Sequence, residues 1–395
     1  MLQYVNINSL FGLYSYNLDF LDTEDFPVKF ITGTNGYGKT TILALINALY
    51  SWDFKRFSDI PFKSIEYGFE DRKITIRKLS QSSGSDEQQD DETQENIKLE
   101  ISVQSGTSKE KSFLVHTGGG IDYNGDDERN TQMYLRSLSC YYIKDQRLYH
   151  KSASVLSLDQ DSQSEMATVQ NNAEDLTQKL KKVSNSINAE LQASLTNLSL
   201  KEDIGGADYN RRKDEIVKKI NRLKRYGIVS TDLSVYEYDE KMSKFLNSYI
   251  NAQETAFEKV ADLIDKLDAF YDIICSYDFA DKDIMISPQY GYRFRLRNEE
   301  KTLLFPSELS SGEQHILILV YELIFKAQDN SLVLIDEPEL SSHLMWQLEF
   351  LKTIRKILAV RKNKLQGIIA THSPQIFGSR WDLSIDLYDQ VKGKK

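Results

Sequence analysis

A glycine-rich stretch near the N-terminus carries the strongest chemical signal in the sequence. It lies between an apolar run, Val28–Ile31, and an amphipathic run, Ile42–Leu49, and it fits the pattern G-x-x-x-x-G-K-[ST]. In a strand–turn–helix context, glycines let successive N–H groups surround a phosphate, and the helix start adds partial positive charge. Lys39 can then reach the β- and γ-phosphates, and the Thr40 hydroxyl can ligate Mg²⁺. The residues predicted to bind a nucleoside triphosphate are Asn35, Gly36, Gly38, Lys39, Thr40 and Thr41.

Two carboxylates follow a continuous apolar run later in the chain. The run is Leu332–Ile335, and it ends in Asp336 and Glu337. Such a run is typical of a strand buried on both faces of a parallel sheet. Asp336 at the strand tip can hold Mg²⁺, directly or through water, and Glu337 is placed to polarise the water that attacks a γ-phosphate. The pair therefore predicts a metal ligand and a catalytic base.

A histidine lies at the end of another apolar run. Ile368–Ala370 leads through Thr371 to His372. A ring at a strand tip can donate a hydrogen bond to a γ-phosphate oxygen. A lone histidine is more often structural, but its place after the other clusters favours a functional role.

The run Leu309–His315 is the fourth cluster. It predicts a helix that extends to about Lys326, with Ser310 as its N-terminal cap. We expect the N–H groups around Ser311–Glu313 to face outward without partners. Because such a helix start attracts an anion, this cluster is a further candidate phosphate site.

Strand patterns surround the phosphate loop. Gln3–Ile7 and Tyr14–Phe20 frame a turn at Leu10–Gly12, and we expect this antiparallel pair to flank the strand at Val28–Thr32. The acidic stretch Ser80–Asn96 predicts a solvated hairpin tip. Other predicted strands are Ile65–Phe69, Lys73–Leu79, Ile97–Val103, Ser112–His116, Ser139–Ile143, Ile284–Ser287, Tyr292–Leu296 and Thr302–Leu304.

Helical periodicity replaces the strand pattern from about Gln160. Further helices are predicted over Tyr209–Tyr226 and Val235–Ile274. Their lengths favour a helical bundle or short coiled-coil arm inserted between Gln146 and Ser307. The apolar seam of the first helix consists of Val169, Ala173, Leu176, Leu180, Val183, Ile187 and Leu191.

The second predicted helix carries a basic stripe with two open interpretations. The stripe can contact DNA phosphates. Alternatively, it is the solvated face of a helix whose basic side chains cover apolar neighbours. Its members are Arg211, Arg212, Lys213, Lys218, Lys219, Arg222, Lys224 and Arg225.

Composition sets broad limits on the protein class. A chain of 395 residues with 40% hydrophobic and 27% charged residues suits one large core plus a smaller module. A net charge of −10 disfavours diffuse, sequence-blind DNA binding. We expect no membrane partner and no signal peptide, because the apolar runs are short and Met1–Tyr4 lacks a basic region. Cys140 and Cys275 form no recognisable pattern, which indicates buried free thiols and a cytoplasmic location.

Together the four clusters resemble the motifs of ABC-type ATPases. Gly33–Thr41 is similar to Walker A, Leu309–Gln314 to the signature, Leu332–Glu337 to Walker B, and His372 to the switch histidine. The motifs are most similar to those of stand-alone bacterial ATPases on the RecF, OLD and SMC side of the superfamily. These include the ATPase subunits of the Septu (PtuA) and PARIS (AriA) anti-phage systems. The signature has Ser and Glu where Gly and Gln are commonest, as is usual on this side.

Two further assignments come only from the resemblance. Glu339–His343 resembles the D-loop, which contacts a dimer partner. Gln146 follows its strand at a spacing that resembles the Q-loop glutamine, which implies a catalytic and metal-binding role.

The resemblance also implies an ATP sandwich, in which two chains complete each other's nucleotide site. ATP would hold a homodimer or a higher oligomer together, and hydrolysis driven by Glu337 would release it. One chain would bind ATP·Mg²⁺ through Lys39, Thr40, Gln146 and Asp336. The partner chain would supply its signature to the same γ-phosphate, through Ser310 and Gly312 with Ser311 and Glu313 beside them.

These patterns predict an α/β protein. The expected architecture is a P-loop NTPase head of the ABC-ATPase kind, with a mixed sheet, an antiparallel β lobe and an inserted helical arm. The predicted domains are an N-terminal lobe with Walker A (1–150), a helical insertion (151–280), and a C-terminal lobe with the signature, Walker B, D-loop and switch histidine (281–395).

Three functions are compatible with this prediction. The favoured one is an ATP-gated sensor and scaffold of a bacterial anti-phage complex that controls a separate nuclease or other effector. Because few residues follow His372, we expect any nuclease to be another polypeptide. The alternative is a DNA-repair clamp like RecF or a short Rad50. The ATPase of a transporter fits least, because the helical insertion is long.

Overall fold

The computed structural model describes residues 1–21, 26–79, 98–106, 108–116, 126–144, 160–196, 202–229, 236–362 and 364–392. The chain forms two compact units, the first made of Met1–Gln146 with Ala327–Lys395 and the second of Arg147–Lys326. Residues 281–326 thus belong to the mainly helical second unit, whereas the sequence-based division assigns them to the C-terminal lobe. The three predicted domains stay a prediction. Within the described ranges, no helix combines the length and apolarity that a bilayer crossing requires.

The described residues form the following strands and helices, each numbered in chain order. The strands are β1 (Leu2–Leu10), β2 (Tyr14–Asp19), β3 (Val28–Thr32), β4 (Ser64–Phe69), β5 (Arg72–Leu79), β6 (Lys98–Ser105), β7 (Lys111–His116), β8 (Ser139–Ile143), β9 (Lys282–Ser287), β10 (Gly291–Leu296), β11 (Leu303–Leu304), β12 (Ser331–Asp336), β13 (Leu365–Ala370) and β14 (Ser384–Asp386). The helices are α1 (Lys39–Ser51), α2 (Phe54–Asp59), α3 (Asp126–Ser137), α4 (Gln160–Thr196), α5 (Gly206–Arg225), α6 (Ser243–Glu258), α7 (Ala261–Ser276), α8 (Ser311–Tyr321), α9 (Leu344–Val360) and α10 (Leu387–Lys392).

The first unit contains two sheets. An antiparallel sheet has the strand order β2-β1-β4-β5-β6-β7, and a second sheet has the order β14-β3-β13-β12-β8. Every pairing in the second sheet is parallel. The mixed architecture is that of a P-loop ATPase, as predicted. The expectation that β1 and β2 flank β3 is wrong, because the partners of β3 are β13 and β14, which a local pattern cannot reveal.

The parallel sheet brings the chemical residues to one edge. Strands β12 and β13 are buried at every residue, which confirms the reading of the Leu332–Ile335 run. Helix α1 contacts β8, β12 and β13 through a largely apolar surface. Since parallel strands end at the same edge, the residues that follow β3, β12 and β13 are neighbours.

The second unit is mainly helical. The predicted seam of α4 is buried or half-buried from Val169 to Ile187, and the side chain of Leu191 lies outside the described part of the chain. Helix α4 packs against α6, α8 and β10. Within the predicted helix Val235–Ile274, the described residues form two helices instead, α6 from Ser243 and α7 from Ala261, with a break at Lys259–Val260. The break was missed because apolar residues continue at helical spacing across it. Strands β9, β10 and β11 form a separate antiparallel sheet.

The remaining differences from the sequence-based predictions concern one helix, two segments outside the described residues and the two cysteines. Helix α3 was not predicted, because its sequence is polar and only scattered side chains such as Leu135 are buried. The predicted hairpin tip Ser80–Asn96 and the residue Gln146 lie outside the described residues. Both cysteines are free, but Cys140 is half-buried and Cys275 is exposed, so the expectation that both are buried is wrong.

Candidate nucleotide-binding site

The loop between β3 and α1 needs its glycines. Gly33, Gly36 and Gly38 have φ angles of 142°, 91° and 85°, which side-chain-bearing residues rarely adopt. A Cβ on Gly38 would also lie 3.0 Å from Cδ2 of Leu10. Gly38 is the N-terminal cap of α1, and no side chain caps this helix. A helix start without a side-chain cap suits an oxyanion ligand.

Lys39 is held inside this loop. The residue is only 5% exposed, and its Nζ atom donates a 2.8 Å hydrogen bond to the Gly33 carbonyl and lies 3.5 Å from that of Thr34. The charge therefore lies within the curve of the loop, where it can pair with phosphate oxygens. Asn35 and Gly36 are exposed at the same loop.

Thr40 and Asp336 meet at the end of β12. The Thr40 hydroxyl donates to Oδ1 of Asp336 over 3.2 Å, and the Tyr142 hydroxyl donates to Oδ2 over 3.3 Å. Asp336 is 1% exposed. Oxygen ligands in adjacent octahedral positions of Mg²⁺, each about 2.1 Å from the ion, lie about 3 Å apart. The hydroxyl and carboxylate therefore fit one magnesium ion, and the described residues hold no separate cluster of three or more metal-ligating side chains.

Glu337 begins the turn after β12. Its φ angle is 44°, and its N–H donates a 2.9 Å hydrogen bond to the Ala370 carbonyl at the end of β13. A left-handed conformation at a non-glycine residue costs of the order of 1–3 kcal/mol and concentrates at functional sites. The Glu337 side chain is 20% exposed, and its Oε1 atom lies 3.9 Å from Nδ1 of His372. The structure thus places Asp336, Glu337 and His372 at one sheet edge.

Glu339 contacts the loop that follows β13 and carries His372. Apart from the D-loop resemblance, the sequence did not identify it as a site residue. Its carboxylate accepts hydrogen bonds from Thr371, His372 and Ser373. The only signal in the sequence is a second carboxylate two positions after Glu337.

A cleft of about 800 Å³ opens beside the phosphate loop and is lined by Gly33–Asn35, His372, Trp381 and Tyr388, among others. This volume is in the range of small-molecule sites.

The start of α8, in the second unit, is closed by its own side chains. The Ser310 N–H and hydroxyl both donate to Oε2 of Glu313 over 2.9 Å, and the Glu313 N–H donates to the Ser310 hydroxyl over 3.4 Å. Ser310 is thus confirmed as the cap. The expectation that the N–H groups around Ser311–Glu313 lack partners is wrong for Glu313, because the reciprocal capping box was not anticipated. Ser310 and Ser311 remain exposed.

Lys282 neutralises this capping box. Its Nζ atom lies 2.8 Å from Oε1 of Glu313, whose side chain is 5% exposed. Burial alone would raise the pKa of the Glu313 carboxyl, but the hydrogen bonds from Lys282 and Ser310 outweigh it and lower the pKa. Glu313 therefore stabilises the helix start, and its direct contact with a nucleotide stays a prediction.

The arginines of the basic stripe are paired within the second unit. Arg222 bonds Asp265 and Asp268 of α7, and Arg212 bonds Glu254 of α6. Arg225 lies over the ring of Tyr271, 4.0 Å from its centroid. These contacts favour packing between helices as the main role of these three arginines, whereas Arg211 pairs with Asp208 and Glu215 of α5 itself. The acidic partners of Arg212 and Arg222 are distant in sequence, so the stripe alone could not show them.

Comparison with known protein families gives one match. The sequence matches the AAA ATPase domain family (AAA_15) over residues 1–377. No curated protein matches the chain.

Solved structures also match. One is the Smc head domain of Pyrococcus furiosus, with an extended coiled coil, bound to the C-terminal domain of ScpA (12% identity, TM-score 0.38, covering 95% of this chain and 90% of that chain). Another is the recombination mediator protein RecF-ATPrS in the RecFOR pathway (11%, 0.32, covering 98% and 97%). A third is the Smc head domain of Pyrococcus yayanosii with a coiled coil and joint (13%, 0.33, covering 95% and 93%).

The family match spans nearly the whole chain, and the phosphate loop, the buried Asp336 and the parallel sheet are in the arrangement that a P-loop ATPase requires. The chain therefore belongs to the AAA ATPase domain family.

Proposed function

We propose that the chain binds ATP with Mg²⁺ at the edge of the parallel sheet and hydrolyses it to ADP and phosphate. The observation that carries this proposal is the 3.2 Å contact between Thr40 and Asp336. It joins the phosphate loop to the Walker B strand at the point where a nucleotide-bound magnesium ion needs two oxygen ligands. The magnesium ion, which enters with the nucleotide, supplies charge neutralisation on the phosphates.

In the proposed reaction, Lys39 and the start of α1 hold the β- and γ-phosphates. Glu337 accepts a proton from water as the water oxygen attacks the γ-phosphorus. The bond from that phosphorus to the bridging oxygen breaks, and ADP leaves with the electron pair. His372 donates a hydrogen bond to a γ-phosphate oxygen. Gln146 is proposed as a further ligand of the magnesium ion.

We further propose that two copies assemble around ATP. The exposure of Ser310 and Ser311 at the start of α8 supports this, since a helix start in this position can receive a phosphate from another chain. The exposed D-loop residues Ser341 and His343 are available for the same interface.

The biological role that we favour is a nucleotide-gated sensor and scaffold of a cytoplasmic bacterial anti-phage complex. Its support is the motif resemblance to the Septu and PARIS ATPase subunits. Expression of the native operon in a phage-sensitive host tests this role. Protection that Glu337→Gln abolishes, together with co-purification of a nuclease or other effector, is the expected result. Unaltered plaque counts with the intact operon would contradict it.

A second candidate role is a DNA-repair clamp. The observation that favours it is the exposure of Lys218 and Lys224 on α5. If DNA binds there, changing both lysines to Gln should lower the affinity and reduce the salt dependence of binding. Binding that keeps its affinity and salt slope would exclude this surface.

Glu337→Gln tests the proposed hydrolysis directly. Because only the proton acceptor is removed, we expect kcat to fall by about 10²-fold or more while the affinity for ATP stays within about threefold. The measurements are phosphate release and ATP titration. Glu349→Gln, which alters a half-buried carboxylate of α9 paired with Lys352, is the matched control. Hydrolysis by Glu337→Gln at the wild-type rate would refute the assignment of the base.

A further inference from the structure

The carboxylate of Glu339 collects donors from one short loop. Its Oε1 atom accepts hydrogen bonds from the Thr371 hydroxyl over 2.6 Å, the His372 N–H over 2.8 Å and the Ser373 N–H over 3.2 Å. The same oxygen lies 3.0 Å from Nδ1 of His372. A single oxygen therefore fixes both the backbone of the loop and the histidine ring.

Burial makes this arrangement specific. The Glu339 side chain is 2% exposed, and its other oxygen, Oε2, is buried without a hydrogen-bond partner among the described residues. A buried carboxylate is costly unless several donors compensate its charge. The donors all come from residues 371–373, so the position of Glu339 and the conformation of that loop depend on each other.

The contact determines which nitrogen of His372 faces the nucleotide site. An ionised carboxylate can only accept, so its oxygen at 3.0 Å favours a hydrogen on Nδ1 in either charge state of the ring. The His372 side chain is 47% exposed and lines the cleft beside Gly33–Asn35. With Nδ1 occupied by Glu339, Nε2 is the nitrogen left to contact a phosphate.

We propose that Glu339 is a positioning residue, which fixes the ring of His372 so that Nε2 meets the γ-phosphate of bound ATP. The kinetic part of this inference rests on the proposed function. Glu337, whose Oε1 atom lies 3.9 Å from Nδ1, is beyond hydrogen-bond distance and stays available to activate water. In this proposal Glu339 positions the His372 ring, and Glu337 activates the water.

The first test is independent of catalysis. Nitrogen-15 NMR of histidine-labelled protein reports which ring nitrogen carries hydrogen, and the chain has five histidines, of which His372→Gln identifies one. We expect the His372 signal to show hydrogen on Nδ1 in the wild type at about pH 8.5, where most imidazoles are neutral. In Glu339→Ala this preference should be lost. An unchanged signal would overturn the proposal, even in a chain without ATPase activity.

The second test is kinetic and includes a rescue. We expect Glu339→Ala to lower kcat by about 10- to 100-fold with KM within about threefold, because the interaction lost is one made in the transition state. Glu339→Gln keeps an acceptor oxygen and should retain kcat within about fivefold of wild type. In the His372→Ala background, Glu339→Ala should reduce kcat by less than about twofold.

The opposite results would assign Glu339 a purely structural role. They are a full further loss in the His372→Ala background, or equal losses of kcat in the Ala and Gln variants. Glu349→Ala, which removes a half-buried carboxylate of the same unit, controls for the loss of charge. Thermal unfolding of each variant separates a misfolded chain from a mispositioned ring. If wild-type protein itself fails to hydrolyse ATP, the proposed function fails, while the NMR result still decides the contact.

Discussion

The starts of helices α1 and α8 are built in opposite ways. Helix α1 follows a left-handed glycine and has no side-chain cap, and the residue that begins it, Lys39, is a buried cation. Helix α8 follows Ser310, which is capped reciprocally by Glu313, and that carboxylate is neutralised by Lys282. One helix start thus offers positive charge to a ligand, whereas the other has satisfied its own groups.

This difference indicates that the two helix starts have different functions. The loop before α1 is suited to bind phosphate with no help from a partner, because its charge and N–H groups converge on one point. At α8 the Ser310 hydroxyl hydrogen is already given to Glu313, so a phosphate must share or displace that bond. The α8 start therefore has its own set of hydrogen bonds, and its role in completing a nucleotide site on another copy stays a proposal.

The largest expected effect is a loss of ATP affinity when the start of α1 is altered. Lys39→Ala removes a charged donor worth roughly 2–3 kcal/mol. We therefore expect ATP affinity to fall by about 30- to 160-fold in a titration with a fluorescent analogue. Lys55→Ala, at an exposed position of α2, is the control and should bind normally. Wild-type affinity in Lys39→Ala would show that the loop is not the phosphate site.

A second variant acts on the α8 side. Lys282→Met leaves the buried Glu313 carboxylate without its cation, and we expect a loss of about 1–3 kcal/mol in the free energy of unfolding. Urea denaturation measures it, with the surface variant Lys352→Met expected within about 0.5 kcal/mol of wild type. Binding of ATP to the single chain should not change. Impaired binding would contradict the separation between the two helix starts.

The smallest effect is a pH dependence. Because the pKa of Glu313 is lowered from 4.5 in the folded chain, its ionised form stabilises the fold at pH values above the unfolded pKa. This contribution is lost as the pH falls through the folded pKa. Wild type should exceed Glu313→Gln in stability by about 1 kcal/mol at pH 7, and the difference should shrink below pH 4.5. A difference that grows on acidification would contradict the assignment.

Local sequence patterns were sufficient to predict most of the elements that form the candidate site. The strands that carry Asp336 and His372, the phosphate loop and the Ser310 cap each have a signal within about ten residues, since they depend on periodicity and turn chemistry. The structure confirms these elements. The roles of the side chains toward a nucleotide stay predictions.

Features that depend on distant contacts could not be predicted. The partner of Glu313 is Lys282 on β9, and the partners of Arg222 are on α7. The position of Glu339 against the loop at 371–373 requires β12 and β13 to be adjacent in the sheet. The break between α6 and α7 was hidden by an apolar seam that continues through it.

We propose that the α8 start of one copy meets the nucleotide bound by another. Ser311 is exposed at the first position of α8, where an acidic residue favours the helix by about 0.3–1 kcal/mol but repels a phosphate. Ser311→Asp and the neutral control Ser311→Asn, each combined with Glu337→Gln, should therefore fold equally well and bind ATP equally well. The decisive measurement is their mass in solution with ATP and Mg²⁺. We predict a dimer for the Asn variant and a monomer for the Asp variant, and dimers of equal stability in both would contradict the account.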